Sequence, residues 1–204
     1  MLTLYFAPGS SSMAPHIALN EIGEPFEATP LSFHKGEMKT PAYLALNPLG
    51  QVPTLVIDGR PLTEVAGCLV YLARRYPAAG LLPDDAEGQA QAVSWMSFLA
   101  ATVHPARRQG LEHARAIYAV ADRRLGRRDW AVGERYSIAD IHLVRLFWRF
   151  FNSLQPPAEE FPNLHRHYER VLARPAVQQT LKAEAAIGYE LPGQGGPERA
   201  QPRA

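Results

Sequence analysis

The chain has 204 residues, 47% of them apolar, and a formal net charge of +1. That length suits one large domain or two small ones, and the near-neutral charge removes any electrostatic case for nucleic acid or an anionic membrane as the main partner. A single cysteine, Cys68, excludes an internal disulfide and fits a reducing compartment. With no charged leader and no apolar run near the roughly 18 residues of a membrane span, the expectation is a cytoplasmic protein.

Leu2 to Phe6 is a short apolar run that reads as a buried strand. Ala7-Pro8-Gly9 breaks it, and Ser10, Ser11 and Ser12 precede an apolar periodic run, where serines are helix N-cap candidates. The helix carries Met13, Ile17 and Leu19 and ends near Gly23, with Pro15 early enough to be tolerated. Phe26 to Leu31 is a second strand, so the chain opens β-α-β, which implies parallel pairing. His34 to Thr40 is polar loop, and Pro41 to Leu46 is at most a short helix.

Leu46 to Glu64 reads LNPLGQVPTLVIDGRPLTE. Asp58-Gly59 between apolar segments is a hairpin signal, and Pro53 opens a strand, where a missing N–H is tolerated. The residues leave the isomer of the Val52–Pro53 bond open. A cis bond would turn the chain sharply and leave the backbone groups of Val52 facing outward to pair with an extended peptide. Glu64 to Tyr76 is a helix with Val65, Leu69 and Leu72 at helical spacing. The first 76 residues thus form a thioredoxin-like arrangement.

Pro77 to Glu87 is rich in Pro, Gly and Asp and reads as a linker. Only helices are expected beyond it. Ala90 to Val103 carries Trp95, Phe98 and Leu99, and Pro105 should kink the chain beside His104. Gly110 to Leu125 ends in Arg123, Arg124, Arg127 and Arg128, a solvated terminus that complements the helix dipole. Ser137-Ile138-Ala139-Asp140 is a capping box, and the helix it starts, to about Leu154, is apolar on nearly every side and hence central. Its polar residues His142, Arg145 and Arg149 share one face, read as a stripe toward solvent or an interface. Phe161 to Ala173 and Pro175 to about Ala186 are further helices. His165 and His167, two apart on a helix, face different ways and make no metal site. The segment from Gly188 is too rich in Pro, Gly and Gln to bury a core.

YFAPGSSSMAPHIAL near the start, NPLGQVPTL followed by LTE, YSIADI and His104 together resemble the cytosolic glutathione S-transferase family, most closely its bacterial beta-type branch. The resemblance covers about residues 1 to 185. It implies an α/β thioredoxin-like N-terminal domain (1–77) that binds glutathione, a linker (78–87), an all-α C-terminal helical bundle (88–187) and a flexible tail (188–204). It also implies glutathione as co-substrate, a small hydrophobic electrophile, no metal, and a homodimer.

An unperturbed thiol has a pKa of about 8.5, so only a few per cent is thiolate at pH 7. Full ionisation raises the reactive fraction roughly thirtyfold, or about 2 kcal/mol. A hydroxyl donor or a helix N-terminus aimed at sulfur can stabilise the anion to that degree. Ser11, after the first strand and before a helix N-terminus, is the candidate donor, although the three serines read equally as loop and cap residues. The beta-type branch usually has cysteine at this position. Serine cannot form a mixed disulfide, so exchange through a protein thiol is disfavoured.

The resemblance adds Tyr5 and His104 to the catalytic set, with a core role open for Tyr5 and a structural one for His104. For glutathione it implies backbone pairing through Val52 beside Pro53, Gln51 toward the glycyl end, and Glu64 toward the γ-glutamyl ammonium. The N–H of Val65 would take the adjoining carboxylate. The family commonly has Ser, Thr or Gly where this chain has Val65, so a side-chain contact is lost. Lys35 is a candidate for the glycyl carboxylate, and Ser97 and Thr102 could add polar contacts near His104. Cys68, among apolar neighbours, reads as core. The rival readings are a non-catalytic interaction module of the same fold and a glutathione-dependent isomerase or peroxidase.

Overall fold

Residues 1–190 are described by the computed structural model. The first unit is built on four strands: β1 (Leu2–Phe6), β2 (Glu27–Pro30), β3 (Thr54–Ile57) and β4 (Arg60–Thr63). Their order in the sheet is β2-β1-β3-β4. β1 runs parallel to β2, as the β-α-β opening requires, and antiparallel to β3, while β3 and β4 form the Asp58-Gly59 hairpin. Along β1, Leu2, Leu4 and Phe6 point into the core and alternate with half-buried Thr3 and Tyr5, the period of a strand. Helix α1 (Met13–Ile22) covers the sheet and ends at Gly23, which takes a left-handed C-cap with φ 76°. Helices α2 (Pro41–Leu46) and α3 (Val65–Arg75) complete the thioredoxin-like portion.

One helix changes allegiance. Helix α8 (Pro175–Ile187), expected within the helical bundle, belongs to the same compact unit as Met1–Leu72. Asn20 Nδ2 donates to Thr180 Oγ1 at 2.8 Å, and the buried carboxylate of Glu184 accepts from Gly9 N–H at 2.7 Å and pairs with His16 Nδ1 at 2.8 Å. A buried carboxylate is tolerated only where such donors meet it, and they lie on the loop before α1 and on α1 itself. The chain beyond α8 is also held at first, against the expected free tail. Tyr189 is buried, and the Glu190 carboxylate accepts from Ser32 Oγ at 2.8 Å and from His34 N–H at 3.1 Å. The tail expected from residue 191 onward lies outside the described residues.

The second unit, Ala73–Arg174, holds helices α4 (Ala86–Phe98), α5 (Leu111–Leu125), α6 (Ile138–Leu154) and α7 (Pro162–Leu172). α6 is its axis. The capping box forms, with Asp140 Oδ2 accepting from Ser137 N–H at 2.9 Å, and Asp140 Oδ1 also takes Ala131 N–H at 2.7 Å and His167 Nε2 at 2.8 Å. Tyr118 stacks on Phe150 at 3.9 Å between ring centroids and donates to the Leu146 carbonyl at 2.9 Å. Where Pro105 signals a distortion, α4 passes into a π-helical turn, Leu99–Val103, followed by a 3-10 turn, Pro105–Gln109. Proline has no N–H and its ring crowds the carbonyl four residues back, so the ladder widens there instead of continuing. The His142, Arg145 and Arg149 stripe does not face solvent: His142 and Arg145 are buried and Arg149 is half-buried. Arg124, expected to be merely solvated, lies 4.4 Å from the centroid of the Trp95 ring and donates to Ser94 Oγ at 2.8 Å.

Candidate active site

Three serines follow β1, and they have different tasks. Ser12 Oγ accepts from Ala7 N–H at 3.0 Å and lies 2.7 Å from Ser10 Oγ. Its side chain therefore does not cap α1, contrary to expectation; it closes the loop back on β1. Ser10 and Ser12 are buried, whereas Ser11 is half-exposed and donates its hydroxyl to the Val52 carbonyl at 2.9 Å. The loop is thus held by Ser10, Ser12 and the Glu184 carboxylate on Gly9, and it presents Ser11 to Val52.

The Val52–Pro53 bond is cis. The Val52 N–H bonds to no group among the described residues, so the bend before β3 keeps a free donor beside the Ser11 hydroxyl. The turn that delivers it is tied from beneath. Asn47 Nδ2 donates to the Gln51 carbonyl at 2.8 Å while its Oδ1 accepts Leu49 N–H at 3.1 Å. The Tyr43 hydroxyl donates to the same Gln51 carbonyl at 2.6 Å. Gly50 has φ 58°, and a Cβ there would meet the Met38 carbonyl oxygen at 2.7 Å, so only glycine fits. The Gln51 side chain itself is exposed.

Glu64 sits at φ 67°, a left-handed conformation disfavoured for a residue with a Cβ. It is exposed, and its carbonyl accepts Cys68 N–H at 3.0 Å, which starts α3 with the first N–H groups of that helix free to meet a ligand. Val65 at the first helical position is buried. Lys35 is exposed and lines a cavity of about 280 Å³ with Pro8, Ser32 and Glu190. Tyr5 packs edge-on to Tyr43 at 5.7 Å between centroids, in the cluster that includes Ala7, Met38 and Val52. Cys68 is fully buried, and burial pushes its thiol up to about 12, so it is inert.

Ser97, Thr102 and His104 belong to the helical unit. Ser97 is exposed near the end of α4, Thr102 is half-buried in the π turn, and His104 follows that turn, its N–H donating to the Leu99 carbonyl at 2.9 Å. Surrounding protein, then Arg145 and Arg108, push the His104 imidazole down to about 4. The side chain is solvent-exposed, so water screens part of that effect, and the ring is neutral at neutral pH.

The turn that Asn47 opens is legible in the sequence, since Asn-Pro before a glycine marks an Asx-type turn, but the side-chain bonds that tie it are not. Tyr43, His16 and Glu184 carry no signal, because their partners are set by tertiary structure.

Residues 10–75 match the glutathione S-transferase N-terminal domain and residues 90–175 the glutathione S-transferase C-terminal domain. The chain is 32% identical to glutathione S-transferase GST-4.5 of Xanthomonas campestris pv. campestris, over 90% of this chain and 98% of that one. It is 29% identical to a maleylacetoacetate isomerase of Pseudomonas aeruginosa, over 85% of this chain and 92% of that one. Among solved structures it resembles a sphingomonad glutathione S-transferase complexed with glutathione, with a TM-score of 0.81 and 33% identity over 90% of this chain and 98% of that one. By both of its domains and by relatives matched almost end to end, the chain belongs to the glutathione S-transferase family.

Proposed function

We propose that the protein conjugates glutathione to a small hydrophobic electrophile, with Ser11 as the hydroxyl donor that stabilises the thiolate once the thiol has given its proton to solvent water. The observation that carries this reading is the Ser11 hydroxyl on the Val52 carbonyl at 2.9 Å. It places a donor on the same edge whose free Val52 N–H suits an extended peptide. A turn about the Ser11 side chain redirects that O–H to a sulfur lying beside the edge. The sulfur then attacks the electrophilic carbon; a C–S bond forms, and the leaving group departs with its electron pair.

Val52 would pair with the cysteinyl part of glutathione, Gln51 and Lys35 would face its glycyl end, and Glu64 its ammonium. The open N–H groups at the start of α3 would take the γ-glutamyl carboxylate. The helical unit would hold the electrophile, with neutral His104 available to donate a hydrogen bond and Ser97 and Thr102 nearby. A cytoplasmic homodimer without nucleic-acid or membrane partners fits the family and the charge. Among the described residues no helix is long and apolar enough to cross a membrane.

Calorimetric titration with millimolar glutathione, followed by conjugation of a generic aryl halide, tests the reading. Binding with turnover supports it; a flat isotherm sinks it, and binding without turnover of several electrophiles favours the non-catalytic module. The isomerase relative keeps a second reading alive, in which the same thiolate adds to an alkene and leaves again after bond rotation. Cis–trans isomerisation of an activated alkene without loss of glutathione would select it.

A further inference from the structure

The polar stripe of α6 faces a segment that carries more positive charge. Arg107 Nη1 donates to Ser153 Oγ at 3.0 Å and reaches the Arg149 carbonyl at 3.5 Å, which lays the Pro105–Gln109 turn along the end of the stripe. His104 and Arg108 come with that turn and are exposed, while His142 and Arg145, at 1% and 5% exposure, are enclosed. Four guanidiniums and two imidazoles are thereby gathered in one region of the helical unit. Their mutual repulsion is felt by both rings: burial and then Arg145 hold His142 at about 3, and Arg145 and Arg108 act the same way on His104.

Like charges gathered in this way repel one another. His142 adds to the cost, because both of its ring nitrogens are buried without a hydrogen-bond partner. An anion reverses the sign of every one of these interactions. Arg108 is placed to meet it first, being exposed and without a hydrogen bond or ion pair among the described residues, and its planar fork matches a carboxylate.

We propose that the cluster formed by Arg107, Arg108, Arg145, Arg149, His104 and His142 binds a carboxylate carried by the electrophile, so that the preferred acceptors are small acids. The proposal rests on the reading that the helical unit holds the electrophile. It names the substrate class that reading leaves open. Arg108 steers and clasps the carboxylate at the mouth of the cluster, and Arg145 adds its field from within.

The test compares a chloronitrobenzoate with the corresponding chloronitrobenzamide in the presence of glutathione. In both, the thiolate forms a C–S bond at the ring carbon, the C–Cl bond breaks, and chloride leaves with the electron pair. Each kcat/KM is divided by the uncatalysed rate constant, which removes the difference in intrinsic reactivity. The wild type should accelerate the acid roughly tenfold or more over the amide. That preference should vanish in Arg108→Ala, persist in part in Arg108→Lys, and shrink as salt is raised. Glutathione affinity, measured calorimetrically, should be equal in all three proteins. Equal acceleration of acid and amide by the wild type overturns the proposal while leaving the transferase reading intact. So does a preference that survives in Arg108→Ala. Loss of glutathione affinity in Arg108→Ala would instead assign the cluster to a carboxylate of glutathione and overturn it equally. Failure to turn over either compound sinks the transferase reading, and the proposal with it.

Discussion

Ser11→Ala removes one hydroxyl and little else. Ser10, Ser12 and the Glu184 carboxylate still hold the loop, and the Ser11 hydroxyl bonds only to the Val52 carbonyl, whose position is set by the cis bond and the Asn47 turn. A hydrogen bond to a charged partner contributes about 1.5–3 kcal/mol when shielded. Ser11 is half-exposed, so water competes for the anion and the lower half of that range applies. That corresponds to a shift of about one to one and a half units in the pKa of bound glutathione, starting from about 8.5 in its absence. The donor favours the deprotonated form, so it lowers the pKa, and its loss matters most below the unperturbed value. At about pH 6.5 kcat/KM should fall roughly 10- to 30-fold; above about pH 9, where the thiol ionises unaided, wild type and variant should converge. The ultraviolet absorbance of the bound thiolate, titrated against pH in both proteins alongside the rate profile, measures both quantities. Superimposable titrations, or parallel rate profiles across the whole range, would refute the role assigned to Ser11.

Glu184→Ala should cost about 2–4 kcal/mol in urea unfolding, because it leaves both the Gly9 N–H and the His16 ring buried without their acceptor. Glu184→Gln, which keeps one carbonyl acceptor, should recover part of that. Gly50→Ala should destabilise the protein by at least about 1–3 kcal/mol and weaken glutathione binding, since a Cβ would collide with the Met38 carbonyl while the backbone stayed left-handed. The Cys68 thiol, pushed up to about 12, should resist disulfide reagents in the native protein at mildly alkaline pH and react on unfolding. His142 should contribute an acid limb to stability. Its folded pKa, about 3, lies below the unfolded value of about 6.5, so between the two only the unfolded chain binds the proton. Stability should therefore fall by up to about 1.4 kcal/mol per pH unit as pH drops below about 6.5. Denaturant titrations of wild type and His142→Leu across that window should differ by that slope.

The thioredoxin-like sheet was legible because its signals are local. The apolar run Leu2 to Phe6, the Asp58-Gly59 turn and the apolar spacing of α3 each lie within a few residues. Helix α8 shows where local reading fails. Nothing within Pro175–Ile187 distinguishes Glu184 from a solvated glutamate, and the groups that bury it, Gly9 and His16, precede it by some 170 residues. The α6 stripe failed for a related reason. Offsets of three and four placed His142, Arg145 and Arg149 on one face correctly, but polarity suggested solvent or an interface, whereas His142 and Arg145 are enclosed and the Pro105–Gln109 turn meets the far end of the stripe. Pro105 announced that turn; the π geometry before it depends on which carbonyls find partners, and sequence does not specify that.

The three serines carry the same tension into the site. As a run they are indistinguishable, and each is an equally good cap or loop residue. The structure separates them by hydrogen-bond accounting. Ser10 and Ser12 satisfy each other and the Ala7 backbone within the buried loop, and Ser11, the middle one, turns outward to the peptide edge. The pair thus fixes the donor before any ligand arrives. A donor fixed in this way needs little further ordering when charge develops on sulfur, which is where preorganised hydrogen bonds are most effective. On the proposed reading, it would also let serine serve where the resemblance to the beta-type branch implies cysteine. The structure sets a hydroxyl donor beside Val52, and a hydroxyl offers no thiol for disulfide exchange.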